Sequence, residues 1–86
     1  MKHELTIEYG DEVLAGLGLS PEEFSREARF LLAAKLYELG RLGSGQAAKL
    51  SGMERVDFLL ALPRIGVAAS NLGEDEAEAE LEYGQR

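Results

Sequence analysis

A mainly α-helical fold is predicted for this 86-residue chain: a short N-terminal strand, a long amphipathic helix, a helix-turn-helix pair, a short C-terminal strand and an acidic tail. Three observations carry the prediction. Ser20-Pro21-Glu22-Glu23 combines a serine cap, a proline whose missing N–H is no loss, and a glutamate three residues on that can complete a capping box. The stretch 44–62, SGQAAKLSGMERVDFLLAL, breaks at Gly52 between two helix-like patterns. At both ends of the domain, over His3–Glu8 and Ile65–Ala69, the chain reads as a strand.

Taken in order, His3, Leu5 and Ile7 alternate with Glu4, Thr6 and Glu8, the period of a half-buried strand. Tyr9-Gly10-Asp11 then turns the chain, and Asp11 caps a short helix over Glu12–Leu17 whose apolar face is Val13, Leu14 and Leu17. Gly16 and Gly18 end it. Strand, short helix and long helix is also the order of ribbon-helix-helix proteins, but Glu4 and Glu8 would meet phosphates unfavourably in a groove-entering ribbon.

The long helix should run from Pro21 to about Leu39 and stop at Gly40. Phe24 and Ala28 are expected inside, with Glu22, Glu23, Arg26, Glu27 and Arg29 in water. From Phe30 onward only Lys35 and Glu38 are charged, so a stripe of Phe30, Ala33 and Tyr37 lies beside one of Leu31, Leu32, Leu36 and Leu39. A helix apolar on two faces needs two things to bury them against. One is the domain's own core; the other is a second copy of the chain, docked on Phe30, Ala33 and Tyr37.

In the central stretch, Ala48 supplies the small side chain that closely crossing helices need, and Gly52 supplies the turn. Ala47, Leu50, Met53, Phe58 and Leu62 are expected to face inward. Pro63-Arg64 interrupts the pattern before the second strand. Residues 1–73 therefore form the helical domain, and residues 74–86, EDEAEAELEYGQR, form an acidic tail with six carboxylates and too few apolar residues to fold alone.

The net charge of −7 is unevenly spread: −3 over residues 1–43, +1 over 44–66 and −5 over 67–86. Affinity for duplex DNA comes largely from Lys and Arg, so DNA binding by so acidic a chain calls for a dimer or a partner protein. No cysteine and a single histidine leave no material for disulfides, thiolate metal sites or a hydrolytic triad. Gly43-Ser44-Gly45-Gln46-Ala47-Ala48-Lys49 lacks the glycine before the lysine and the following Ser/Thr of a phosphate loop. Glu74, Glu78 and Glu82 would share a helical face, where like charges repel and make a weak cation site. No enzyme, cofactor or metal is expected. With no apolar run of spanning length and no secretory leader in MKHELTIEYG, a cytoplasmic location without membrane association is the expectation.

Leu19–Glu23, Leu36-Tyr37 with Gly40, Gly45, Ala47-Ala48, Leu50, Gly52-Met53, Phe58, Leu62 and Gly66-Val67 together resemble a family of small uncharacterised prokaryotic proteins of UPF type. The resemblance covers nearly the whole chain. It implies an antitoxin-like protein with a helix-turn-helix, which binds and neutralises a PIN-type ribonuclease toxin through its C-terminal segment and autoregulates transcription. The chain departs from the family where the second helix of the pair begins. Members often carry an aromatic with basic residues there, whereas Glu54-Arg55-Val56-Asp57 stands in this sequence, leaving Arg55 alone to read a base edge.

The expected toxin contact is the tail, anchored by Leu72, Ala77, Leu81, Tyr83 and Arg86, whose carboxylates can mimic phosphates in a basic nuclease groove. The competing expectation is a stand-alone DNA-binding transcriptional regulator that uses Gln46, Lys49, Arg55 and Arg64 on phosphates and base edges. A third is an adaptor whose paired helices accept another protein.

Overall fold

The computed structural model describes residues 1–68, and within them the protein is helical: α1 Asp11–Leu17, α2 Pro21–Glu38, α3 Ser44–Ser51, α4 Arg55–Ala61, and a 3-10 turn at Leu62–Ile65. No strand occurs among the described residues, which corrects both strand predictions. Residues 3–8 alternate in sequence as a strand would, but among the described residues no backbone hydrogen bonds pair them with a second stretch in a ladder. At the other end the segment predicted as strand instead begins within the 3-10 turn. Pro63 fits its first turn, where a missing N–H costs nothing, and Gly66 at φ +77° closes it with its N–H donating to the Leu62 and Pro63 carbonyls. Ala69, the last residue of that predicted strand, lies outside the described residues.

α1 starts at Asp11 with Gly10 as its cap residue, and Gly18, at φ +70°, ends it by donating its N–H to the Leu14 carbonyl. Gly16 stays inside the helix, and a methyl group added to it would meet nothing within 4 Å. Gly16→Ala should therefore stabilise the protein by about 0.5–1 kcal/mol, through helix propensity and a less disordered unfolded chain. A urea titration with an unchanged or lower midpoint would contradict this.

The start of α2 is the capping box read from the sequence. The Glu23 N–H donates to Ser20 Oγ at 3.1 Å, and the Ser20 N–H donates to Glu23 Oε1 at 2.8 Å. The Ser20 N–H, and after it the Ser20 hydroxyl, hold the Glu23 carboxyl below its ordinary pKa of 4.5, with a smaller contribution from Arg26. Because the folded value lies below the unfolded one, the contribution is fully present above pH 4.5 and is lost as the pH falls through the lowered value. Ser20→Ala should cost about 1 kcal/mol at neutral pH. Glu23→Gln should keep the box but flatten part of the loss of thermal midpoint in acid; an acid profile identical to the parent's would disprove the assignment.

α2 packs on α3, and α3 on α4. The core they enclose consists of Ala33, Ala34, Ala47, Ala48, Phe58, Leu59, Leu62 and Val67, with Phe30, Tyr37, Leu42 and Met53 packed against it. Alanines on both sides of the α2–α3 contact let the two backbones approach, and the volume is filled by Phe58, whose ring takes Phe30 and Tyr37 edge-to-face at 5.7 and 5.9 Å between centroids. Of the residues expected inside, Ala47, Phe58 and Leu62 are buried and Met53 is half-buried, whereas Leu50 is 38% exposed.

Candidate functional site

The α3–turn–α4 unit is held by a three-residue connection, Gly52-Met53-Glu54. Gly52 sits at φ +78°, a left-handed conformation that strains residues with a Cβ, and its N–H donates to the carbonyls of Ala48 and Lys49. The Met53 N–H also reaches the Ala48 carbonyl, at 3.0 Å, and so does the buried Ser51 hydroxyl, at 2.8 Å. From α2, Arg29 Nε donates to the Leu50 carbonyl at 3.3 Å, placing a cation over the negative end of α3. Every one of these bonds serves the last turn of α3, so the angle at which α4 leaves is set by local chemistry rather than by a ligand.

The residues expected to touch DNA are dispersed over this unit. Gln46 and Lys49 are exposed on α3, Arg64 is exposed in the 3-10 turn, and Arg55 is half-buried at the start of α4 and already engaged within the molecule. What α4 offers outward is apolar: Val56 is 57% exposed and Leu60, one turn on, 69%, with Glu54 and Asp57 beside them. A surface made to read phosphates and base edges needs cations where this one has aliphatic carbons and carboxylates.

The second surface is an open groove of about 790 Å³ between the N-terminal segment, α2 and the end of α3. Leu5 and Ile7, 72% and 63% exposed, line it from the N-terminal segment, and Leu32 and Leu50 from α2 and α3. Tyr9 anchors the segment by packing edge-to-face on Phe24 at 4.9 Å. Four basic side chains belong to the lining, Lys2, His3, Arg29 and Lys49, and among the described residues no carboxylate does. Periodicity marked Leu5, Ile7 and Leu32 as apolar, but nothing local in sequence showed that residues from 2 to 50 would converge.

Phe30, Ala33 and Tyr37, expected at a dimer interface, face this chain's own core: Ala33 is fully buried and both rings pack on Phe58. The apolar stripe of α2 left outside is instead Leu31, Leu32 and Leu39. Leu72, Ala77, Leu81, Tyr83 and Arg86 lie outside the described residues. No cluster of three potential metal-binding side chains occurs among the described residues, and no described helix is long and apolar enough to cross a membrane.

No solved structure matches the chain. A UPF0175 protein of Aeropyrum pernix is 37% identical over 75 residues, which cover 87% of this chain and 83% of the relative. The family profile described as "Uncharacterised protein family (UPF0175)" matches residues 1–86 from end to end. With the profile matching the whole chain and the relative covering 87% of it, the chain belongs to the UPF0175 family.

Proposed function

We propose that this protein is an antitoxin-like binding protein that neutralises a PIN-type ribonuclease toxin, with the acidic segment 74–86 as the principal contact and the outer face of α4 as a second one. The observation that favours protein over nucleic acid is the chemistry of α4, where Val56 and Leu60 are exposed between Glu54 and Asp57. Exposed aliphatic side chains at that spacing lose water to a protein partner's apolar surface, and flanking carboxylates are repelled by phosphates. Segment 74–86 supports the same reading, since six carboxylates interspersed with Ala77 and Leu81 and followed by Tyr83 suit a basic, partly apolar RNA-binding groove. Arg86 and Arg64 are the groups able to approach the acidic metal-binding residues of such a nuclease.

The test is a pair of titrations against a purified PIN-type ribonuclease of the same host. Removing residues 74–86 should abolish the complex while leaving the helical circular dichroism intact. An unchanged dissociation constant after that removal would rule out the tail as the contact. Leu60→Asp should weaken the complex of the full chain about tenfold or more without altering the thermal midpoint.

The three-residue turn favours a second reading, a DNA-binding regulator acting alone or with the partner through Gln46, Lys49, Arg55 and Arg64. It requires binding to the upstream DNA with a steep salt dependence. A flat titration at low salt eliminates it.

A further inference from the structure

We propose that the groove between the N-terminal segment, α2 and α3 is the seat of the chain's own acidic segment, residues 74–86. The inference goes beyond the toxin reading and does not depend on it, because the contact exists in the absence of any partner.

Charge carries the argument first. The chain has sixteen carboxylate residues against nine Lys and Arg, yet none of the ten carboxylates among the described residues lines this groove. Lys2, Arg29 and Lys49 do, together with His3. In a molecule of net charge −7, a concavity whose charged side chains among the described residues are all basic is the natural place for a compensating anionic segment. Segment 74–86 holds six of those sixteen carboxylates.

Apolar chemistry agrees. Leu5, Ile7, Leu32 and Leu50 each stand at least 38% exposed around the opening and offer aliphatic surface to an occupant. Ser25 and Ala28 also line the groove, and their small side chains leave room for inserted groups. Ala77, Leu81 and Tyr83 recur through the acidic segment and supply such groups. An acidic peptide with aliphatic and aromatic anchors matches both the basic and the apolar side chains of the lining.

Reach is sufficient. Val67, next to the last described residue, is buried in the core that α2 faces, and the groove lies on the neighbouring stripe of the same helix. The path around α2 is then on the order of 10–20 Å, one or two helix diameters. Extended chain covers roughly 3.3–3.6 Å per residue, so the residues from Ala68 to Leu81 span more than twice that distance. A contact built mainly on exposed ion pairs is weak and reversible. Any partner with a stronger basic groove can then draw the segment out, and in doing so exposes Leu5, Ile7, Leu32 and Leu50 to a second contact.

The test uses the full-length chain. A zero-length carbodiimide should cross-link Lys2 or Lys49 to carboxylates between Glu74 and Glu82, identified by mass spectrometry, and 0.5 M salt should suppress the products. Charge reversal with Lys2→Glu and Lys49→Glu together should speed cleavage within residues 74–82 by a glutamate-specific protease at least fivefold at low salt, with the thermal midpoint unchanged. Cross-links confined to carboxylates outside 74–86, or a cleavage rate indifferent to both charge reversal and salt, would overturn the proposal. A mixture of isotope-labelled and unlabelled chains decides ownership: products within one chain support it, and products joining labelled to unlabelled chains overturn it in favour of exchange between two copies. Loss of toxin binding on removal of 74–86, with no cross-link to Lys2 or Lys49, would sink this inference and leave the toxin reading standing.

Discussion

Phe58→Ala should cost about 3–5 kcal/mol, the usual range for removing a fully enclosed phenylalanine ring. The side chain has no exposure to solvent, and it is the hub where Phe30 and Tyr37 meet. Much of the remaining core consists of alanines that cannot move in to fill the void, since their side chains end at Cβ. A small domain has roughly 5–15 kcal/mol to lose, and one with a core this small belongs at the lower end. The variant should therefore melt at least about 15 °C lower and be partly unfolded at 37 °C, taking the usual shift per kcal/mol for a domain of this size. Thermal and urea unfolding followed by circular dichroism check this. A loss below about 1 kcal/mol would mean that α4 is not seated on α2 through this ring.

The parts of the fold that could be read from the sequence are those decided by chemistry within four or five residues. Ser20-Pro21-Glu22-Glu23 and Gly52 are of that kind: their hydrogen bonds close locally, and the structure places a helix start at one and a helix end at the other. The two strands could not be settled this way. A strand is completed by hydrogen bonds to another stretch of chain, and the alternation of His3–Glu8 records which side chains share a face without recording whether a neighbour exists. α2 shows a finer limit. Its two apolar stripes differ by one position, about 100° around the helix, and both satisfy the same periodicity. Which one turns inward depends on where α3 crosses, and α3 crosses at the alanines, so Phe30 and Tyr37 follow Ala33 and Ala34 into the core while Leu31, Leu32 and Leu39 stay out. Leu50 follows from the same crossing: with Ala47 and Ala48 taking the contact, the longer side chain two positions on is left at the rim of the groove. The groove draws its basic groups from positions 2, 3, 29 and 49, and no window along the chain contains them all.

Ala48→Leu should be the second most damaging single change, because it places three more carbons where α2 and α3 touch. Ala48 is 2% exposed, Ala47, Ala33 and Ala34 have no exposure, and the four belong to one core. Overpacking a filled interior typically costs about 1–3 kcal/mol, and this site lies toward the upper end for a stated reason. The Ala48 carbonyl accepts from the Gly52 and Met53 N–H groups and from the Ser51 hydroxyl, so a shift of α3 that makes room also disturbs the bonds that set the turn to α4. Ala48→Gly makes the complementary control: with no added bulk it should cost only about 1 kcal/mol, the difference in helix propensity with a small void. Leu60→Ser, on the exposed side of α4, should stay within about 0.5 kcal/mol of the parent. If Ala48→Leu proved as mild as Leu60→Ser in urea, the close α2–α3 crossing would be refuted, and with it the reason that α4 presents Val56 and Leu60 to a partner. A large loss for the leucine and a small one for the glycine would instead show that steric contact between the two helices orients that face.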